Sequence, residues 1–78
     1  MQTFMEHIEI TPDTRSGKPC IKNTRITIGD ILKWLGAGMS VDQIIEDFPQ
    51  LTKEDILAAI NFAAYREQIT IVSPNTAA

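Results

Sequence analysis

The chain has 78 residues, 44% of them hydrophobic and 22% charged, with a formal net charge of −3, the composition of one small ordered domain. Cys20 and His7 are its only cysteine and histidine, which excludes an internal disulfide and a closed four-ligand zinc site within one chain. A chain this small buries roughly 62% of its unfolded surface, so with neither staple available a homodimer is the expected support.

Residues 1–30 hold no apolar stretch behind a basic start, and no run reaches the ~18 apolar residues of a membrane span. The expected setting is cytoplasmic, with no membrane partner. Charge is segregated along the chain. Arg15, Lys18, Lys22, Arg25 and Lys33 fall in one stretch, flanked by acidic segments on both sides. Such a patch suits phosphate, an acidic protein or the acidic half of a second copy, and equally a solvated face.

In chain order, residues 6–26 read as short strands and turns. His7-Ile8-Glu9-Ile10 alternates polar and apolar residues, the pattern of a half-buried strand. Thr11-Pro12-Asp13 and Ser16-Gly17-Lys18-Pro19 are turn signals. Pro19-Cys20-Ile21 and Thr24-Arg25-Ile26 flank Lys22-Asn23 as a tight hairpin would, with Asn23 suited to positive φ.

Residues 27–68 read as three helices, each with the same opening. Thr27, Ser40 and Thr52 are N-caps, and Asp30, Gln43 and Asp55 complete capping boxes three positions on. The pairs Ile26/Ile31, Met39/Ile44 and Leu51/Ile56 are hydrophobic staples. Gly36-Ala37-Gly38 stops the first helix and Pro49 the second. The third runs from Lys53 to about Gln68. Residues 69–72 are β-prone and 73–78 form a small polar tail.

Helical periodicity assigns core faces. The first helix turns Ile28, Ile31, Leu32 and Leu35 inward with Trp34 on the flank. The second buries Val41, Ile44, Ile45 and Phe48 and exposes Asp42, Gln43, Glu46 and Asp47. The third buries Ile56, Leu57, Ile60, Ala63 and Ala64. Its other side carries Ala58, Phe62 and Tyr65, next to Arg66, as a candidate partner or dimer interface. The alternative is that Ile69-Thr70-Ile71-Val72 folds back over that side.

Nothing in the sequence assembles a catalytic centre. Cys20 has no placed base, Gly17-Lys18-Pro19 is no phosphate loop, and the carboxylates are dispersed. No enzyme activity, cofactor or metal is expected. The second and third helices, joined across Pro49-Gln50-Leu51, have helix-turn-helix spacing. The start of the third, however, sets Lys53 beside Glu54 and Asp55, a poor match to phosphates. Any DNA contact would fall to the candidate nucleic-acid-binding residues Arg15, Lys18, Lys22, Arg25 and Lys33.

The run Gly17-Lys18-Pro19-Cys20-Ile21-Lys22-Asn23-Thr24-Arg25-Ile26 resembles the small bacterial family catalogued as domain of unknown function 433. The likeness continues through Asp30-Ile31-Leu32, Leu35 to Ser40, Ile44-Ile45, Phe48-Pro49, Leu51-Thr52, Asp55-Ile56 and Ala63-Ala64. It covers about residues 6–67, with Asn23 standing where the family often has glycine. The resemblance implies a mainly α fold, a three-helix homeodomain-like domain behind a small N-terminal β hairpin. It also implies an antitoxin of the VapB kind, with a PIN-like ribonuclease toxin as partner and no catalytic residues. The alternative function is a protein-interaction or dimerisation module with no DNA affinity.

Overall fold

Each of the three α-helices among the described residues begins at a reciprocal cap in which side chain and backbone exchange hydrogen bonds. In the computed structural model, which describes residues 4–69, Asp30 N–H donates to Thr27 Oγ1 at 2.9 Å and Thr27 N–H to Asp30 Oδ2 at 3.1 Å. Ser40 and Gln43 repeat the exchange at 3.1 and 2.8 Å. Thr52 and Asp55 repeat it at 3.1 and 3.0 Å. These caps start α1 (Ile28–Gly36), α2 (Val41–Asp47) and α3 (Lys53–Ile69). Each satisfies orphan N–H groups of a first turn, worth about 1 kcal/mol.

The helix stops are equally local. Gly38 adopts φ 101°. Met39 N–H donates to Trp34 O and Gly38 N–H to Leu35 O, both at 3.0 Å, the paired bonds of a Schellman end. After α2, Phe48 N–H reaches Ile44 O at 2.8 Å and Leu51 N–H reaches Phe48 O at 2.9 Å. Pro49 lies inside that reversal and cannot extend the helix.

The sheet has two antiparallel strands, β1 (Ile8–Glu9) and β2 (Cys20–Ile21), with Ile8 opposite Ile21 and Glu9 opposite Cys20. Two expectations change here. His7 belongs to a 3-10 turn, Phe4–His7, and Ile10 lies beyond β1. The ladder partner of β2 is β1, and Thr24-Arg25-Ile26 forms no second strand of a two-residue hairpin. The chain does reverse there, over four residues: Ile21 N–H donates to Ile26 O at 2.9 Å, and Cys20 bridges Thr27. The Thr24 hydroxyl explains the wider turn. It donates to Ile21 O at 2.8 Å and accepts Ile26 N–H at 3.0 Å, replacing ladder bonds. Asn23 sits at φ 68° within it.

One core joins these elements. Ile21, Ile31, Ile44, Leu51 and Ile56 are its largest fully buried side chains, so four of the six staple residues meet at its centre, while Ile26 lies at its margin and Met39 packs against it half-buried. Trp34 and Phe48 stack at its edge, with centroids 4.3 Å apart and planes 10° apart. The buried Cys20 thiol donates to Lys18 O at 3.4 Å.

The faces of two helices differ from expectation. Leu32 of α1 is exposed, and α3 is rotated. Ile56, Ala58, Ala59 and Phe62 form its core side, whereas Leu57, Ile60 and Ala64 face outward. Alanines at 58, 59, 63 and 64 make α3 weakly apolar all round, so its own periodicity selects no face. The choice is made by the N-terminal 3-10 turn, which packs on α3 and sets Phe4 at 6.1 Å from Tyr65. Ala58 and Phe62 are therefore core residues rather than an exposed interface. Thr70, Ile71 and Val72, the alternative cover, lie outside the described residues.

Candidate functional site

The basic stretch folds onto the start of α1 through an unusual turn. Arg15, Ser16 and Gly17 take φ 51°, 61° and 80° in succession, a left-handed turn that costs about 1–2 kcal/mol at each non-glycine residue. The Gly17 hydrogen faces the Pro12 backbone, with a hypothetical Cβ 4.0 Å from Pro12 Cα. The turn aims Arg15 at α1. Its guanidinium donates to Arg25 O at 2.7 Å and to Asp30 Oδ2 at 3.3 Å, linking three parts of the basic segment.

Asp30 is the hub of this arrangement. Burial pushes its carboxyl up. The Thr27 N–H and hydroxyl and the Arg15 guanidinium outweigh burial and hold it below its ordinary value. A carboxylate kept ionised in the first turn also favours the helix dipole.

Beside the hub, α1 and the second half of α3 enclose an open groove of about 600 Å³. Arg15, Lys18, Lys33 and Arg66 stand around it together with Asp30 and Glu67, Leu32 contributes exposed apolar surface, and the buried Phe62 lies at its floor. Arg66 lies over the Phe62 ring at 5.7 Å from its centroid, a cation–π contact. Three of the five nucleic-acid candidates thus share one groove. Lys22 is exposed on the four-residue turn, and Arg25 lines a separate cleft beside Glu9 and Thr14.

Of the partner-interface candidates, Arg66 and Phe62 meet at the groove, Ala58 is buried, and Tyr65 is exposed beside Phe4. Sequence reasoning placed Arg66 apart from the basic stretch. Only the Phe62/Arg66 spacing of four along α3 could have tied it to an aromatic partner, and no local pattern links α3 to Lys18 or Lys33. Among the described residues, no group of three or more His, Cys, Asp or Glu could hold a metal ion. No helix there is long and apolar enough to cross a membrane.

The family profile described as "Protein of unknown function (DUF433)" matches residues 8–63, a span that includes both strands, the Arg15–Gly17 turn, α1, α2 and most of α3. The chain belongs to the DUF433 family. It is similar to the uncharacterized protein y4eO of Sinorhizobium fredii, 33% identical over 58 residues, covering 74% of this chain and 26% of that protein. The chain therefore spans about a quarter of the length of that curated relative. It is also similar to a crystal structure of a DUF433 member from Anabaena variabilis, at 33% identity and a TM-score of 0.74. That match covers 81% of this chain and 63% of the other. The small helical fold behind a two-stranded sheet is thus a DUF433 fold.

Proposed function

We propose that this DUF433 chain is a non-enzymatic, antitoxin-like regulator. As a homodimer in the cytoplasm it covers a PIN-like ribonuclease with one surface and holds operator DNA through the cations around the α1–α3 groove. The observation that carries the DNA part is the convergence of Arg15, Lys18, Lys33 and Arg66 on one groove, where they outnumber the carboxylates of Asp30 and Glu67 and the excess positive charge attracts phosphates. The first turn of α3, the recognition position in a helix-turn-helix, offers Glu54 and Asp55 instead and repels them. The DNA-facing surface is accordingly the groove rather than that helix start. The ribonuclease partner rests on the family resemblance.

A second reading is a protein-interaction module with no DNA affinity. The exposed apolar side chain of Leu32 in the groove favours it, since phosphates gain nothing from such surface. Titration with operator DNA over a range of salt separates the two. DNA binding gives a linear fall of log affinity with log salt. Lys18→Gln with Lys33→Gln lowers its slope by about 0.9 for each phosphate that is no longer neutralised. No measurable DNA binding at low salt, together with stoichiometric capture of the ribonuclease, leaves the interaction module. Failure to capture a ribonuclease from cells that encode both removes the antitoxin assignment.

A further inference from the structure

The cations around the groove are not equally free. Arg15 Nη1 donates twice inside the protein, to Arg25 O at 2.7 Å and to Asp30 Oδ2 at 3.3 Å. The Thr27 cap and Arg15 itself keep the Asp30 carboxyl ionised, so a full negative charge stands beside the guanidinium. A phosphate drawn to Arg15 would meet Asp30 as well, and attraction and repulsion largely cancel. Lys18 and Lys33 differ. Both are exposed and both line the groove. Neither ammonium has an ion pair or a hydrogen bond among the described residues.

What the Arg15 contacts do is geometric. Lys18 follows the left-handed turn directly, and its N–H donates to Arg15 O at 3.2 Å. On its other side, Pro19 O accepts Ile28 N–H at 3.0 Å. The backbone that carries Lys18 is thus pinned between Arg15 and the first turn of α1. Asp30 lies on α1 three residues before Lys33, on the same side of the helix. The Arg15–Asp30 pair therefore ties the segment bearing one lysine to the helix bearing the other. Within the DNA reading proposed above, we infer that Lys18 and Lys33 contact phosphate, whereas Arg15 is a positioning residue that sets the two lysines relative to each other through Arg25 and Asp30. The guanidinium itself holds no phosphate while Asp30 stands beside it.

Fluorescence anisotropy of a labelled, mixed-sequence DNA duplex over a range of salt tests this through the slope of log affinity against log salt. Lys18→Gln and Lys33→Gln each lower the slope by about 0.9, one phosphate apiece. Arg15→Gln weakens binding about fivefold at fixed salt and leaves the slope unchanged. Asp30→Asn gives a readout that a purely structural role would not move. Asparagine keeps an oxygen that can accept Thr27 N–H, so the cap persists, but the carboxylate charge is gone. Arg15 is then free for a phosphate, and the slope rises by about 0.9. Adding Arg15→Gln to Asp30→Asn takes that rise away. A slope that falls with Arg15→Gln as it does with Lys18→Gln overturns the inference and leaves the DNA reading in place. So does a slope that Asp30→Asn fails to raise. A wild-type protein that binds no duplex at low salt removes the DNA reading, and this division of its cations with it.

Discussion

His7 Nδ1 lies 2.8 Å from Asp55 Oδ1, across 48 residues of sequence. The other oxygen of the same carboxylate accepts Thr52 N–H at 3.0 Å. An ionised carboxylate only accepts, so the imidazole donates from Nδ1. Asp55 therefore caps α3 and also ties down the 3-10 turn that brings Phe4 onto it. Asp55→Ala removes both contacts and is expected to cost about 1–2 kcal/mol. His7→Ala costs about 0.5–1 kcal/mol, the range of a partly exposed pair. Urea unfolding of the two variants and their double mutant checks this, and purely additive losses would show that the pair contributes nothing.

Asp30 makes stability depend on acid. Its folded-state carboxyl lies below the ordinary value of 3.8, so the unfolded chain binds the proton more readily. The stabilisation is fully present above that ordinary value and is lost as pH falls through the lower folded-state value. Thermal unfolding between pH 2 and 6 is expected to show this loss, and Asp30→Asn to flatten it. An equal acid dependence in the variant would assign the loss to other carboxylates.

The Trp34–Phe48 stack joins α1 to the residue after α2. A double-mutant cycle through Trp34→Leu and Phe48→Leu is expected to give a coupling of about 0.5–1.5 kcal/mol. Trp34 is the only tryptophan, so its emission also reports the joint directly. Emission unchanged by Phe48→Leu would contradict the stack.

Asn23 holds φ 68° in the four-residue turn. Asn23→Gly is expected to leave stability within about 0.5 kcal/mol, whereas Asn23→Val costs about 1–2 kcal/mol because a branched Cβ resists this backbone. Denaturant midpoints of the two variants check the difference, and equal midpoints would show that the turn relaxes to accept either.

What could be seen in the sequence was what neighbouring residues decide among themselves. The three caps, the Gly38 stop and the positive φ of Asn23 are fixed within five or six residues, and each appears as expected. The face of α3 is not of that kind. Leu57 and Ile60 compete evenly with Ala58 and Phe62 for the core, and Phe4, more than 50 residues earlier, decides the contest. The candidate groove divides in the same way. Lys18 and Lys33 stood out as charge, but their meeting with Arg66 depends on how α1 lies against α3. The width of the turn after β2 was hidden because Thr24 supplies side-chain bonds to Ile21 and Ile26 that the pattern of apolar residues does not record.

Cys20 is 2% exposed and is the only thiol in the sequence. A thiol so enclosed reacts with an alkylating reagent only when its surroundings open. Because β2 lies between β1 and the start of α1, the alkylation rate counts the openings of that junction. Measured against the rate of a denatured chain, it gives the free energy of opening under native conditions, without denaturant. A value equal to that of global unfolding would mean that the strands and helices separate together. A smaller one would mean that the sheet and the Arg15–Gly17 turn come apart first, taking the basic groove with them while the helices stay folded.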